Sequence, residues 1–323
     1  MATFCVVGAT SWGLTLAWML HENGHVVSVL TRTPEEAAAL EVQRGLARLP
    51  ALRMPPEISF RAEANLADMD GVVVATPAQW VRRTLSVIGA GSAPVISASK
   101  GIEAGTHLRM TEVIAQCWEG PPVAALSGPN LSAEIVAGQP GAAVIAAASQ
   151  EVAGMWQAAL NGPVFRCYTT ADVVGVEMAG ALKNVIAIAA GVAWGLGYGA
   201  NTVAALMTRG LAEMTRLGLA LGAAPETFRG LAGIGDLAAT CFSPLSRNRR
   251  FGELLATGLS ADAARSSIGE AVEGAATARA ALELAQTAHV EMPICAEVVA
   301  VIEGRSTVGT AIMALLSREP RAE

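Results

Sequence analysis

Aromatic residues occupy only 4% of this 323-residue chain and charged residues only 15%, while 52% of the positions are hydrophobic. So little charge beside so much apolar content excludes a disordered chain or a solvated repeat array and predicts a packed globule. Basic residues are in the minority, with 22 Lys and Arg against 28 Asp and Glu for a net charge of -6. That balance gives no general attraction for nucleic acid or an anionic membrane, so neither is expected as a partner. There is no CxxC pair. Cys5, Cys117, Cys167, Cys241 and Cys295 stand far apart, which suits reduced thiols in a cytoplasmic protein better than a disulfide framework or a zinc site. His21, His25, His107 and His289 show no ligand spacing with one another or with the cysteines, so no metal is expected. The start, MATFCVVGA, has no basic stretch before its apolar run and reads as a strand, not a targeting segment.

At about 150 residues per domain the length suits two domains with separate cores. Apolar runs at residues 3–8, 26–31, 71–76, 94–98, 123–126, 142–146 and 164–167 predict strands, with helical stretches between several of them, as at 12–23 and 34–44. This alternation predicts a parallel sheet covered on both faces. From Ala171 the strand signals stop and helix-period patterns take over, punctuated at 195–199, 222–225, 233–235 and 292–293. The expected architecture is an α/β domain over residues 1–170 and an all-α domain over 171–323, with the cleft between them as the natural place for a ligand.

One lysine, Lys183, sits in the middle of the most apolar long helix, predicted over 173–196. Burying an ammonium without a partner costs several kcal/mol, on the order given by desolvation. Proton transfer would justify that cost, since a desolvated lysine can act as acid or base. The plainer alternative is a side chain that snorkels to the surface. Glu177, Lys183 and Asn184 argue against this helix as a membrane span.

VVGATSWG (6–13) follows a strand and opens a helix, the context of a dinucleotide fingerprint. Gly8 would make the tight turn, Gly13 would let helix and strand pack closely, and the N–H groups around Ser11 and Trp12 would receive a pyrophosphate. The middle glycine of the pattern is Thr10, whose Cβ would crowd the phosphates. The second strand ends at Thr31-Arg32, where an NAD site usually carries an acidic residue; a hydroxyl and a guanidinium suit a 2′-phosphate instead. NADPH is therefore favoured, with NADH possible. VVVATPAQ (72–79) brings a further turn to the edge where cofactor riboses lie.

Polar groups also emerge from SASKGIE, with Lys100 straight after a strand, and from SGPN, where Gly128, Pro129 and Asn130 form a turn able to offer backbone donors. FSPLSRNRRFG gathers Arg247, Arg249 and Arg250 in an acidic protein. Ser246 could cap a helix whose start, with Arg247 and Asn248, makes an anion site, while Arg249 and Arg250 read as solvent-facing. A small phosphorylated substrate fits this pattern. In GLAGIGDL, Asp236 either caps the next helix or orients Lys183 or a substrate hydroxyl.

GATSWG, SASKGIE, SGPN, GVEMAGALKNVIAIAAG, GANTVAALMTRGLAEM, GLAGIGDL and SRNRRFG, followed by EGAATARAALELA and VEMPIC, span nearly the whole chain. In order and spacing they resemble bacterial NAD(P)-dependent glycerol-3-phosphate dehydrogenase. The resemblance implies an N-terminal Rossmann-type domain, a helical C-terminal domain, and reversible reduction of dihydroxyacetone phosphate to sn-glycerol 3-phosphate for glycerophospholipid synthesis. It implies cofactor contacts from Ser11, Trp12, Arg32, Lys100, Ser132, Arg247 and Glu273. Substrate contacts would come from Lys100, Gly128, Asn130, Lys183, Asp236, Ser246, Arg247 and Asn248, with Lys183 catalytic. The family usually has glycine at Thr10, and serine with a small residue at Asn130-Leu131. A dehydrogenase for another phosphorylated or acidic hydroxy compound, or a non-catalytic NADPH-binding protein, would be the alternatives. The apolar helices of the second domain are compatible with a homodimer.

Overall fold

The valine-rich runs of the first half are buried on both faces, and they form one sheet. The computed structural model describes residues 1–319 and divides into two units, one of Met1–Lys100 and Leu108–Glu177, the other of Gly101–His107 and the residues from Met178 onward.

The first unit carries eight strands: β1 (Thr3–Val7), β2 (Val26–Leu30), β3 (Ser59–Arg61), β4 (Gly71–Val74), β5 (Val95–Ser97), β6 (Val123–Ser127), β7 (Gly141–Ala147) and β8 (Phe165–Thr170). Their spatial order is β3-β2-β1-β4-β5-β6-β7-β8. Every pairing is parallel except β6 with β7, a departure from the all-parallel expectation. β3 was not foreseen either, because three residues of an edge strand show no alternation. Side chains alternate faces along each strand: Val6, Val29, Val73 and Ile96 join one core, and Cys5, Val7, Leu30, Val72, Val74 and Val95 the other. Helices α1 (Ser11–Glu22), α2 (Pro34–Gln43), α3 (Val81–Leu85), α4 (Met110–Cys117), α5 (Ser132–Val136) and α6 (Gln150–Leu160) complete this unit.

The chain leaves β1 toward β2 and β3, then returns to place β4 on the other side of β1. Where strand order reverses, the loops leaving the two strands diverge and open a crevice at their carboxyl ends. That crevice lies at Gly8 and Ala75.

Helix α7 (Val173–Gly195) begins in the first unit and supplies the central helix of the second. It is long and apolar enough to cross a membrane by composition, yet 83% of its apolar window is buried within the protein, and it is the core helix of its unit. The unit also carries α8 (Ala200–Ala220), α9 (Pro225–Arg229), α10 (Asp236–Phe242), α11 (Arg247–Ala256), α12 (Ala261–Ile268), α13 (Glu273–Thr287), α14 (Pro293–Ile302) and α15 (Val308–Leu316).

Candidate active site

Lys183 is 6% exposed and does not snorkel to the surface. Its Nζ donates to Asp236 Oδ1 at 2.5 Å and to Thr240 Oγ1 at 2.6 Å. Asp236 and Thr240 are four residues apart on α10, so one helix face presents both acceptors. The Thr240 hydroxyl in turn donates to the Asp236 carbonyl at 2.6 Å. A buried ammonium thus meets a buried carboxylate and a neutral acceptor, which offsets much of its desolvation. Gly235, not Asp236, holds the N-cap position of α10. A π-helical turn, Leu231–Gly235, leads into α10, and such wide turns concentrate at functional sites. A Cβ on Gly233 would lie 2.1 Å from the Phe228 carbonyl oxygen, so the turn demands glycine there. Burial pushes the Cys241 thiol on the same helix up to about 12, against the pull of the Lys183 charge, so it is no nucleophile at neutral pH.

The residue after the lysine starts a chain of amides. Asn184 Nδ2 donates to the Gly180 carbonyl at 3.3 Å, Asn248 Nδ2 donates to Asn184 Oδ1 at 2.8 Å, and the Gly274 N–H donates to Asn248 Oδ1 at 2.9 Å. Three helices, α7, α11 and α13, are tied at this point. Glu273, partly buried, opens α13 beside it. The α7–α11 crossing is backbone against backbone: a Cβ on Gly252 would sit 2.0 Å from the Ile188 carbonyl oxygen, and one on Gly191 2.0 Å from that of Arg249.

That close crossing fixes the start of α11. Buried Ser246 caps it, accepting the Arg249 N–H at 3.2 Å. Arg247 projects there with its side chain 44% exposed and Nη1 3.4 Å from Glu270 Oε2. Arg249, expected to face solvent, instead lies over the Trp194 ring at 4.8 Å, donates Nε to Glu253 Oε1 at 2.7 Å, and donates to the Phe242 carbonyl that ends α10. It is a packing residue. Arg250 is exposed, as its place on the helix foretells.

In the first unit Gly8 has φ +110, and a Cβ there would lie 2.9 Å from Thr76 Cγ2 and 3.1 Å from the Ala75 carbonyl oxygen. Gly13 comes so near β1 that a Cβ would be 2.1 Å from the Gly8 carbonyl oxygen. Both glycines are required by approach distance, at the strand-to-helix turn where a dinucleotide fingerprint receives the pyrophosphate. Thr10 caps α1: its Oγ1 accepts the Gly13 N–H at 3.0 Å and donates to the Ala75 carbonyl at 2.8 Å. The departure from glycine thus has a use, pinning the turn to the end of β4. Ser11 opens α1 and Trp12 packs on the core, its indole N–H without a protein partner among the described residues.

At the end of β2 the Thr31 hydroxyl is committed to the Thr33 and Arg61 carbonyls, at 3.0 and 3.1 Å, so it is not the phosphate donor that the sequence suggested. Arg32 has an exposed side chain and is held by Glu36 through its backbone N–H at 2.9 Å and its guanidinium at 3.2 Å. Lys100, three residues past β5, donates Nζ to the Gly128 carbonyl at 3.0 Å. Gly128 sits at φ +143 with the Ala142 carbonyl oxygen 2.8 Å from any Cβ; toward Lys100 the SGPN turn offers an acceptor. Both polar atoms of the Asn130 side chain are buried without a partner among the described residues. An amide left so is costly unless something else completes it. Ser132 opens the short helix α5.

Thr240, Asn184 and Arg48 were not foreseen. The i, i+4 relation of Thr240 to Asp236 was a usable signal, as was the adjacency of Asn184 to Lys183. Arg48, whose Nε donates to Ser11 Oγ at 2.9 Å, comes from a loop that no motif marks.

Comparison with known proteins agrees with this geometry. The profile of the NAD-dependent glycerol-3-phosphate dehydrogenase N-terminus matches residues 3–153, and that of the C-terminus matches residues 172–313. The chain is 45% identical to glycerol-3-phosphate dehydrogenase [NAD(P)+] of Corynebacterium glutamicum strain R, over all of both chains. It is 44% identical to the Frankia casuarinae protein of the same name, over 100% of this chain and 98% of the other. The crystal structure of glycerol-3-phosphate dehydrogenase (gpsA) from Coxiella burnetii superposes with a TM-score of 0.93 at 33% identity, covering 98% of this chain and 99% of that one. With both of its halves matched, this chain belongs to the NAD-dependent glycerol-3-phosphate dehydrogenase family.

Proposed function

We propose that this protein is an oxidoreductase that reduces dihydroxyacetone phosphate reversibly to sn-glycerol 3-phosphate with NADPH favoured over NADH, supplying glycerophospholipid synthesis in the cytoplasm. The observation that carries the reading is the buried Lys183 amine held by Asp236 and Thr240. When bound, the reduced nicotinamide supplies the hydride that turns the ketone carbon into a secondary alcohol.

Lys183 gives the proton that the ketone oxygen needs as it becomes an alkoxide, and takes it back in the reverse direction. Asp236 and Thr240 hold Nζ in one direction, so little reorganisation is needed at the moment of transfer. Lys100, resting on the Gly128 carbonyl, adds positive charge near the carbonyl or phosphate. Asn130 offers a donor and an acceptor that no partner among the described residues uses. Ser246, Arg247 and the first amides of α11 grip the phosphate, and this remote binding energy fixes the reacting carbon. Asn248 serves the same end from behind, through its bonds to Asn184 and Gly274. Gly8, Ser11, Trp12 and Gly13 receive the dinucleotide, with Lys100, Ser132, Arg247 and Glu273 as further contacts, and the exposed Arg32 guanidinium reaches a 2′-phosphate. The preference for NADPH rests on that arginine.

The test is oxidation of NADPH, then NADH, by purified protein offered dihydroxyacetone phosphate, a β-keto acid and the ketone related to 6-phosphogluconate. Turnover confined to dihydroxyacetone phosphate and faster with NADPH is expected. Turnover with another of these compounds alone would replace the substrate assignment.

A further inference from the structure

The dinucleotide helix α1 has lost one donor of its own. Thr10 Oγ1 takes the Gly13 N–H, so the amide supply at the helix start is reduced while an added Cβ narrows the approach. No acidic residue stands in the first turn of α1. Against that start lies a guanidinium from elsewhere in the chain: Arg48 Nε donates to Ser11 Oγ at 2.9 Å.

The loop that presents Arg48 is built to stay in place. Gly45 passes so near Leu52 that a Cβ would lie 2.9 Å from its carbonyl oxygen. Leu46 and Leu49 close a bridge around Arg48, and Leu49 and Leu52 are buried. Arg44 staples the far side, donating Nη1 to the Pro55 and Ile58 carbonyls at 3.2 and 2.7 Å. Arg48 also acts on Glu36, the partner of Arg32. Burial by itself would raise the Glu36 carboxyl, but hydrogen bonds from Arg32 and the charges of Arg32 and Arg48 hold it below its ordinary range. Two guanidinium groups therefore act on one carboxylate at this end of the sheet.

We propose that Arg48 is the cationic residue for the pyrophosphate of the bound dinucleotide, replacing the helix-start donor that Thr10 occupies, while Arg32 serves the adenosine ribose. This role presupposes the dinucleotide site proposed above. Because pyrophosphate is common to both nicotinamide cofactors, Arg48 contributes to affinity without choosing between them, and Arg32 chooses.

Calorimetric titration of the full-length protein with NADPH, NADH and ADP-ribose tests it. ADP-ribose carries the pyrophosphate but neither the nicotinamide nor a 2′-phosphate. Arg48→Met is expected to weaken all three ligands by a common factor of about ten, with a shallower salt dependence, as loss of one charge-assisted phosphate contact implies. Arg32→Met is expected to weaken NADPH alone. If wild-type protein binds none of the three, the dinucleotide reading itself fails. If wild type binds and Arg48→Met binds equally well, or loses NADPH only, the pyrophosphate role is overturned and the dinucleotide reading stands.

Discussion

Thr240 Oγ1 lies 2.6 Å from Lys183 Nζ and 3.4 Å from Asp236 Oδ1, so a hydroxyl and a carboxylate from one helix face bracket a single amine. Thr240→Val keeps the shape of the side chain but removes the hydroxyl that accepts from that amine, leaving its bond to the carboxylate. Loss of a buried partner costs about 1–3 kcal/mol, and a less constrained amine transfers its proton less well. The expected result is a kcat reduced by about tenfold with little change in KM for dihydroxyacetone phosphate, as for an interaction that matters in the transition state. Thr240→Ser should recover most of the rate. Steady-state kinetics beside urea unfolding separates the two effects.

Gly252→Ala is expected to destabilise by about 3 kcal/mol, the upper end of overpacking costs, since its Cβ would enter the Ile188 carbonyl at 2.0 Å. Because α11 carries Ser246 and Arg247 at its start, the same change should raise KM for the phosphorylated substrate. Gly154→Ala on α6, where a Cβ meets nothing within 4 Å, should be neutral or slightly stabilising. Thermal denaturation of the pair checks the contrast.

Asn248→Ala breaks two hydrogen bonds in one step and leaves the Gly274 N–H and the Asn184 amide without their partner. A loss of about 2–4 kcal/mol follows from two buried groups at about 1–2 kcal/mol each. Urea unfolding measures it. A loss below about 1 kcal/mol would mean that the amide chain does not tie the three helices.

Glu213 supplies the pH dependence. It is buried, accepts the Ile294 and Cys295 N–H groups at 2.8 and 3.3 Å, and burial pushes its carboxyl up to about 7 despite those bonds and the charges of Arg216 and Arg318. Between the ordinary carboxyl value of 4.5 and about 7 the folded chain holds a proton that the unfolded chain has released. Folding stability therefore falls as pH rises through this window, by up to about 3 kcal/mol from this group. Glu213→Gln should match wild type at pH 5 and exceed it at pH 8, by denaturant unfolding at each pH.

Much of this was legible because the signals were local. Short apolar runs separated by helical stretches foretold seven of the eight strands, and the run of apolar residues around Lys183 foretold α7. The antiparallel β6–β7 pairing was not, since strand direction depends on chain path and leaves no mark in the residues. Ser246 announced its cap through its own chemistry, and Asp236 was recognised as an acid in an apolar turn. The burial of Arg249 against Trp194 and the reach of Arg48 to Ser11 depend on contacts between residues 55 and 37 positions apart, which periodicity does not report. Thr31 misled because a strand-end hydroxyl can equally well bond its own loop.

The most direct test of the proposed chemistry is kcat for dihydroxyacetone phosphate reduction by Lys183→Met, with NADPH affinity measured on the same preparation. Proton donation by Lys183 predicts a loss of about 10³-fold, within the range of a positioned acid or base, while NADPH binds as in wild type. Turnover near the wild-type rate in a folded, NADPH-binding variant would contradict it.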